Sequence, residues 1–228
     1  MCTTNATQLA LAAGLLLAVL VRTDAGEDGI ASEKKPVTVP KLTDKIVVDG
    51  DPADRAKIKP LPAPFSKKDA GMLTLGWADD GLYGCAQVKD AKIAIDEDSP
   101  WSADCLELWF ESDCGRKDEM SDNSFQIAMA PNPAKGAGKC IIVIPQGSAS
   151  PDKITAKWKP VTGGYVIEFY IPFAQLKLAA MAEGTRIGFN YAVDDVDDKG
   201  VLEQFYCDKD ADQGYKHPSQ WGVIKLGK

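Results

Sequence analysis

Ser99-Pro100-Trp101-Ser102-Ala103-Asp104-Cys105-Leu106-Glu107-Leu108-Trp109-Phe110 is the stretch that decides the fold. From Asp104 onward it alternates. Leu106, Leu108 and Phe110 fall on one face of a strand, and Cys105, Glu107 and Trp109 on the other. Trp101 stands just outside the strand, behind a proline, in a loop that can present its ring to solvent. A loop aromatic followed by a strand carboxylate suits a sugar. The ring stacks on the apolar face of a pyranose, and the carboxylate accepts hydrogen bonds from its hydroxyls. The alternative reading makes Trp101 a cap on the core and Glu107 a solvated strand residue.

The same alternation continues on both sides. Strand-like runs cover 45–48, 72–78, 82–89, 104–111, 124–130, 139–144, 153–159, 164–171, 186–193, 202–207 and 221–226. Asp79-Asp80-Gly81, Gly163-Gly164 and Asp197-Asp198-Lys199-Gly200 separate such runs and signal hairpins. One short helix is expected through Phe173-Ala174-Gln175-Leu176, after Pro172. Closely spaced strands without helical crossovers predict an all-β fold, a two-sheet antiparallel β-sandwich of jelly-roll type. No repeat or second domain interrupts the pattern.

The chain has 228 residues, 45% hydrophobic and 26% charged, and a formal net charge of −7. This is a globular composition. No basic stripe is present, which argues against nucleic acid and anionic membrane surfaces as partners. Residues 9–20 form an apolar run of signal-peptide length, followed by small residues at Thr23-Asp24-Ala25. Residues 1–25 are therefore read as a signal peptide, 26–37 as a polar tether and 38–228 as the sandwich. The expected location is periplasmic or extracellular, with no membrane attachment after cleavage. An uncleaved anchor is the competing reading, since Met1–Gln8 carries no Lys or Arg.

Of six cysteines, Cys85, Cys105, Cys114, Cys140 and Cys207 follow the signal segment. No C-x-x-C spacing exists and His217 is the only histidine, so a zinc site or histidine-based catalysis has little to work with. Cys114 and Cys140 flank the 124–130 strand and are a candidate pair. Cys85 reads as a small buried hydrophobe. Glu107 and Glu168 are carboxylates of the kind glycoside hydrolysis uses, but nothing brings them to one cleft. The chain is read as non-catalytic.

Acidic runs invite a calcium reading, because hard cations take clustered oxygen ligands. In Asp194-Asp195-Val196-Asp197-Asp198, the candidate ligands are Asp195, Asp197 and Asp198. The alternative is a charged hairpin tip that keeps an edge soluble. Asp96-Glu97-Asp98 is a second acidic cluster beside Trp101. Asp208–Gly214 lacks the helices and closing glutamate of an EF-hand, and is read as a polar loop presenting Tyr215.

Several segments then fall together in order. They are Val47-Val48-Asp49-Gly50, Leu75-Gly76-Trp77-Ala78-Asp79-Asp80-Gly81-Leu82-Tyr83, Val88-Lys89-Asp90, Pro100-Trp101 with Asp104–Leu108, and Phe125-Gln126-Ile127. Gly163–Glu168, Ile171-Pro172, Ile187-Gly188-Phe189-Asn190 and Pro218–Leu226 follow. Over about residues 38–228 the chain resembles the family 9 carbohydrate-binding modules. The resemblance implies a two-sheet β-sandwich, often with structural calcium, that clamps the terminal sugar of a glycan between two aromatic rings. It implies a link to secreted glycoside hydrolases. Carried over by position, Trp101 is the first clamp ring and Glu107 the strand carboxylate. Gln126 is a polar ligand-binding side chain, Tyr215 the second ring and Asp212 a polar partner. Trp221 matches an aromatic of the core strand. The expected function is non-catalytic carbohydrate binding. The alternative is an extracellular structural or interaction module on the same fold with no sugar ligand.

Overall fold

The computed structural model describes residues 35–44, 46–55, 58, 61, 71–90, 92–136, 138–178, 181–197, 199–200, 202–206 and 215–228. The signal-segment boundary, residues 26–34 of the tether, Asp198, Cys207 and Asp212 lie outside the described residues; Val37, read as the end of the tether, instead opens the first strand.

Among the described residues eleven strands form two sheets: β1 (Val37–Val39), β2 (Gly71–Ala78), β3 (Gly81–Lys89), β4 (Cys105–Glu111), β5 (Ser124–Pro131), β6 (Cys140–Gln146), β7 (Thr155–Val161), β8 (Gly164–Pro172), β9 (Arg186–Val196), β10 (Leu202–Tyr206) and β11 (Gly222–Leu226). A seven-stranded sheet has the order β1-β11-β9-β4-β5-β6, with β10 also paired to β9. A four-stranded sheet has the order β2-β3-β8-β7. All pairs are antiparallel except β1 with β11, which is parallel. The segment 173–176 is a single 3-10 turn.

Period-two alternation puts one face of each sheet inside. Leu106, Leu108 and Phe110 of β4, Phe125, Ile127 and Met129 of β5, and Ile187, Phe189, Tyr191 and Val193 of β9 meet Leu73, Leu75, Trp77, Ile167, Phe169 and Ile171 of the other sheet. Burying such rows is the main source of stability, at about 1.5–3 kcal/mol for each large apolar side chain. Gly84 lies on the inward row of β3. A Cβ there would lie 2.0 Å from Phe169 Cζ, so the absent side chain is what admits the ring.

Of the strand expected over 45–48, the described residues 46–48 form none. Val47-Val48-Asp49-Gly50 is instead a turn laid on the outer face of the four-stranded sheet. Buried Glu168 accepts hydrogen bonds from Asp49 N–H (3.1 Å) and Gly50 N–H (2.8 Å). An apolar run alone suggested a strand, but a strand also needs a partner edge, and this segment finds a carboxylate. Cys114 and Cys140 are not bridged; both are free thiols. Cys114 N–H bonds Glu111 O at the end of β4, which faces the start of β5, whereas Cys140 pairs with Pro131 at the end of β5. Eight strand residues separate the two ends of β5. From first to last that is roughly 23 Å, against the about 7 Å between Cα atoms that a disulfide tolerates. Cys85 is buried.

Candidate functional site

The outward rows of β9, β4 and β5 form the floor of the site. Strand register sets Ala192, Glu107 and Ala128 side by side, and next to them Asp194, Cys105 and Ala130. A third row holds Asn190, Trp109 and Gln126. The alanines leave Glu107 between short neighbours. On this outer face Trp109 and Ala192 pack with Trp221, and the half-buried Met120 packs against that cluster.

Glu107 is only 2% exposed, so it is not a solvated strand residue. Gln126 Nε2 donates to its Oε1 at 2.6 Å, and Gln204 Nε2 from β10 donates to Oε2 at 3.4 Å. Cys105 Sγ donates to Asp194 Oδ2 at 3.2 Å, and Asp194 Oδ1 is buried without a hydrogen-bond partner. Burial raises the Glu107 carboxyl above its ordinary range, against the lowering effect of the Gln126 donor. Burial raises Asp194 well above its range too, and the neighbouring Glu107 charge adds to it. Two dry carboxyls this close favour holding a proton over carrying two charges. None of these floor residues is cationic. The floor is therefore rich in acceptors suited to hydroxyl donors.

Trp101 lies in a 3-10 turn, Pro100–Ser102, that leads directly into β4. It is half-buried, and packs against the cluster of Cys105, Ala128 and Ala130 on the same outer face. Trp101 and Glu107 are thus brought to one surface, and Gln126, from the row beyond Glu107, is hydrogen-bonded to it. Tyr215 is 37% exposed, with Lys216 Nζ 4.9 Å from its ring centroid. The segment that follows Tyr215 is tied to the loop after β4. Arg116 donates to Ser219 O (2.6 Å) and Trp221 O (3.2 Å), and His217 Nδ1 is 2.7 Å from Asp118 O.

The acidic residues group differently from the sequence reading. Asp197 is an exposed residue whose Oδ1 accepts Lys199 N–H at 2.8 Å within its own hairpin. Asp96 caps its own loop through Asp98 N–H and Ser99 N–H. Asp195 instead joins Asp90 and Asp104, with oxygens within 4.8 Å of one another. The cause is parity. β9 stays regular through Val196, which keeps Asp195 on its inward row, away from the tip. Asp104 begins the inward row of β4, and Asp90 extends that of β3, so the three meet at one end of the sandwich and span both sheets.

Asp104 accepts Val196 N–H (2.7 Å) and Ala94 N–H (2.5 Å). Burial pushes its carboxyl up to about 7 despite these bonds, and the charges of Asp90 and Asp195 add to the rise. Asp90 Oδ2 is buried without a hydrogen-bond partner, and so is the hydroxyl of Tyr165, which pairs with Val88 two residues before Asp90. An all-oxygen set with uncompensated negative charge fits a hard divalent cation such as calcium. Sequence reasoning missed Asp90 and Asp104 as candidate ligands because it looked for acids close together in the chain. Acids at strand ends with inward parity were the available signal.

Glu107 and Glu168 point away from each other, on the outer faces of different sheets. They share no cleft.

An outer sheet face with buried acceptors beside a tryptophan is the arrangement of a β-sandwich ligand-binding module. The carbohydrate family 9 binding domain-like model matches residues 56–228, and the chain belongs to that family. Its fold is similar to a family 9 carbohydrate-binding module from Caldicellulosiruptor kristjanssonii in complex with cellotriose (TM-score 0.70, 20% identity, covering 85% of this chain and 94% of that one). A family 9 module from the same organism in complex with glucose aligns with a TM-score of 0.68, at 20% identity over 85% of this chain and 97% of that one. The endo-1,4-beta-xylanases A of Thermotoga neapolitana and Thermotoga maritima are each 26% identical over 155 residues, or 67% of this chain. The match spans only 14% and 13% of those xylanases.

Proposed function

We propose that this chain binds carbohydrate without catalysis, on the outer face of the seven-stranded sheet, and takes the terminal sugar of a glycan. The observation that carries this reading is Glu107. It is buried on an outer face, held by two glutamine amides, flanked by alanines, and shares its face with the half-buried Trp101. In this reading Trp101 stacks on the ring and Glu107 accepts from its hydroxyls. Gln126 and Asp212 set orientation, and Tyr215 covers the opposite face. The xylanase relatives and the modules solved in complex with cellotriose and glucose support a plant-type glycan and a role beside polysaccharide breakdown.

Calorimetric titration with xylo- and cello-oligosaccharides, before and after reduction of their reducing ends, tests this. Binding that is lost on reduction supports recognition of a closed terminal ring. No heat with any glycan of a broad array would leave an interaction module with no sugar ligand.

Calcium at Asp90, Asp104 and Asp195 belongs to the same proposal. It would supply the positive charge that lets three clustered carboxylates remain ionised. A cation that binds only the folded state raises its melting temperature. An unchanged melting curve after chelation would remove it. Export, with a mature terminus near Gly26, follows from the apolar run at 9–20. Intact mass of the exported protein checks it, and a species retaining Met1–Leu20 would point to an anchor.

A further inference from the structure

The carboxylate cluster and the sugar face are built on the same two strands. Asp104 precedes Cys105 and stands on the inward row of β4, while Glu107 stands on the outward row. Asp195 and Asp194 have the same relation on β9. The loop that carries Trp101 leaves the sandwich at Asp90 and returns at Asp104, so two of the three clustered acids are its two ends. The Asp104 carboxylate already straps this loop to β9, through Ala94 N–H on the loop and Val196 N–H at the end of β9. Ala103 N–H bonds Pro100 O and Asp104 N–H bonds Ala94 O, which leaves little slack between Trp101 and that strap.

A second observation points to a ligand at the cluster. Tyr165 stands on β8, paired with Val88 on the inward row that ends at Asp90. Its side chain is 0% exposed, its hydroxyl has no hydrogen-bond partner, and the negative groups Asp104 and Asp90 act on it. Asp90 Oδ2, buried and unsatisfied within the cluster, and a buried, unsatisfied phenol oxygen on the same inward row are groups that a bound cation would satisfy.

We propose that cation and sugar binding are linked: a divalent cation held by Asp90, Asp104 and Asp195 draws both ends of the Trp101 loop to β9, seats the ring over the Glu107 floor, and so raises sugar affinity, as sugar raises cation affinity. This rests on the carbohydrate-binding reading above. Like charges at three strand ends repel, and their separation moves the loop ends. A shared cation reverses the sign of that force. The linkage is reciprocal by thermodynamic necessity.

The test titrates the folded protein with cello- or xylo-oligosaccharide, with saturating calcium and after chelation. Calcium is then titrated with and without saturating sugar. The expected result is one common factor of at least about fivefold in both directions, the lower end of typical coupling. Asp90→Asn should bind sugar as the chelated protein does and ignore calcium. It spares the Asp104 strap and serves where an Asp104 variant fails to fold. Trp101→Ala should retain calcium binding, and calcium should no longer alter its residual sugar affinity. If both ligands bind wild type with a factor of one, the linkage is overturned while the carbohydrate-binding reading stands. Sugar binding with no calcium binding also overturns it. Calcium binding with no sugar binding refutes the carbohydrate-binding reading itself, and the linkage with it.

Discussion

Replacing Glu107 with glutamine separates what this residue does for binding from what it does for folding. The side chain keeps its length and loses its charge. In the folded protein it already accepts from Gln126 at 2.6 Å and Gln204 at 3.4 Å, beside the buried Asp194. A neutral amide removes the repulsion between Glu107 and Asp194 and the desolvation of one carboxyl. Against that, Gln126 must reorient its amide to meet the new donor. These effects oppose each other, so stability should change by no more than about 1 kcal/mol. Binding has no such compensation. A hydrogen bond to a charged acceptor contributes about 1.5–3 kcal/mol and a neutral one about 0.5–1.5. One or two sugar hydroxyls on the carboxylate then give a loss of about 1–2 kcal/mol, or roughly a five- to thirtyfold rise in Kd. Titration calorimetry and thermal melting of the same samples read the two effects. A variant that binds as tightly as wild type would refute the role of Glu107 as acceptor. One that melts far lower would show that the charge holds the sheet together.

Trp101→Ala should weaken sugar binding by roughly ten- to a hundredfold, since a large stacked ring contributes about 1–3 kcal/mol. Because the ring is half-buried, melting should shift far less than for a core tryptophan; equal affinity in a folded variant would remove the ring from the site. In chelator, stability should fall as pH rises from about 4 to about 7. Asp104 titrates at about 7 when folded and at about 4 when unfolded, so between these the folded state holds a proton that the unfolded chain has released. Glu107 and Asp194 act with the same sign. Saturating calcium should flatten the trend, and a melting temperature that rises over this range in chelator would contradict the assignment. Glu168→Ala should destabilise by about 2–3 kcal/mol, because the buried Gly50 N–H loses a charged acceptor. Denaturant unfolding measures it, and a loss below about 0.5 kcal/mol would show that the turn finds another partner.

Period-two alternation in the chain placed most of the strands, and it put Leu106, Leu108 and Phe110 inside with Glu107 outside. That is local information: each residue's face follows from its neighbours. The order of the Val47–Gly50, Trp101–Leu108 and Pro218–Leu226 segments was enough to name the family. The turn at 47–50 was misread because its partner, Glu168, is more than a hundred residues away, and nothing near Gly50 reports a waiting carboxylate. Sheet register decided the rest. It set Ala192, Glu107 and Ala128 in one row and brought Gln204 and Asp194 to the floor. It also took Asp195 from the acidic hairpin and joined it to Asp90 and Asp104. Those three acids come from strands of both sheets, and their proximity exists only once the sheets pack. The chain specifies which way each side chain faces, and tertiary pairing determines which side chains meet, because contact across strands depends on register rather than on distance along the chain.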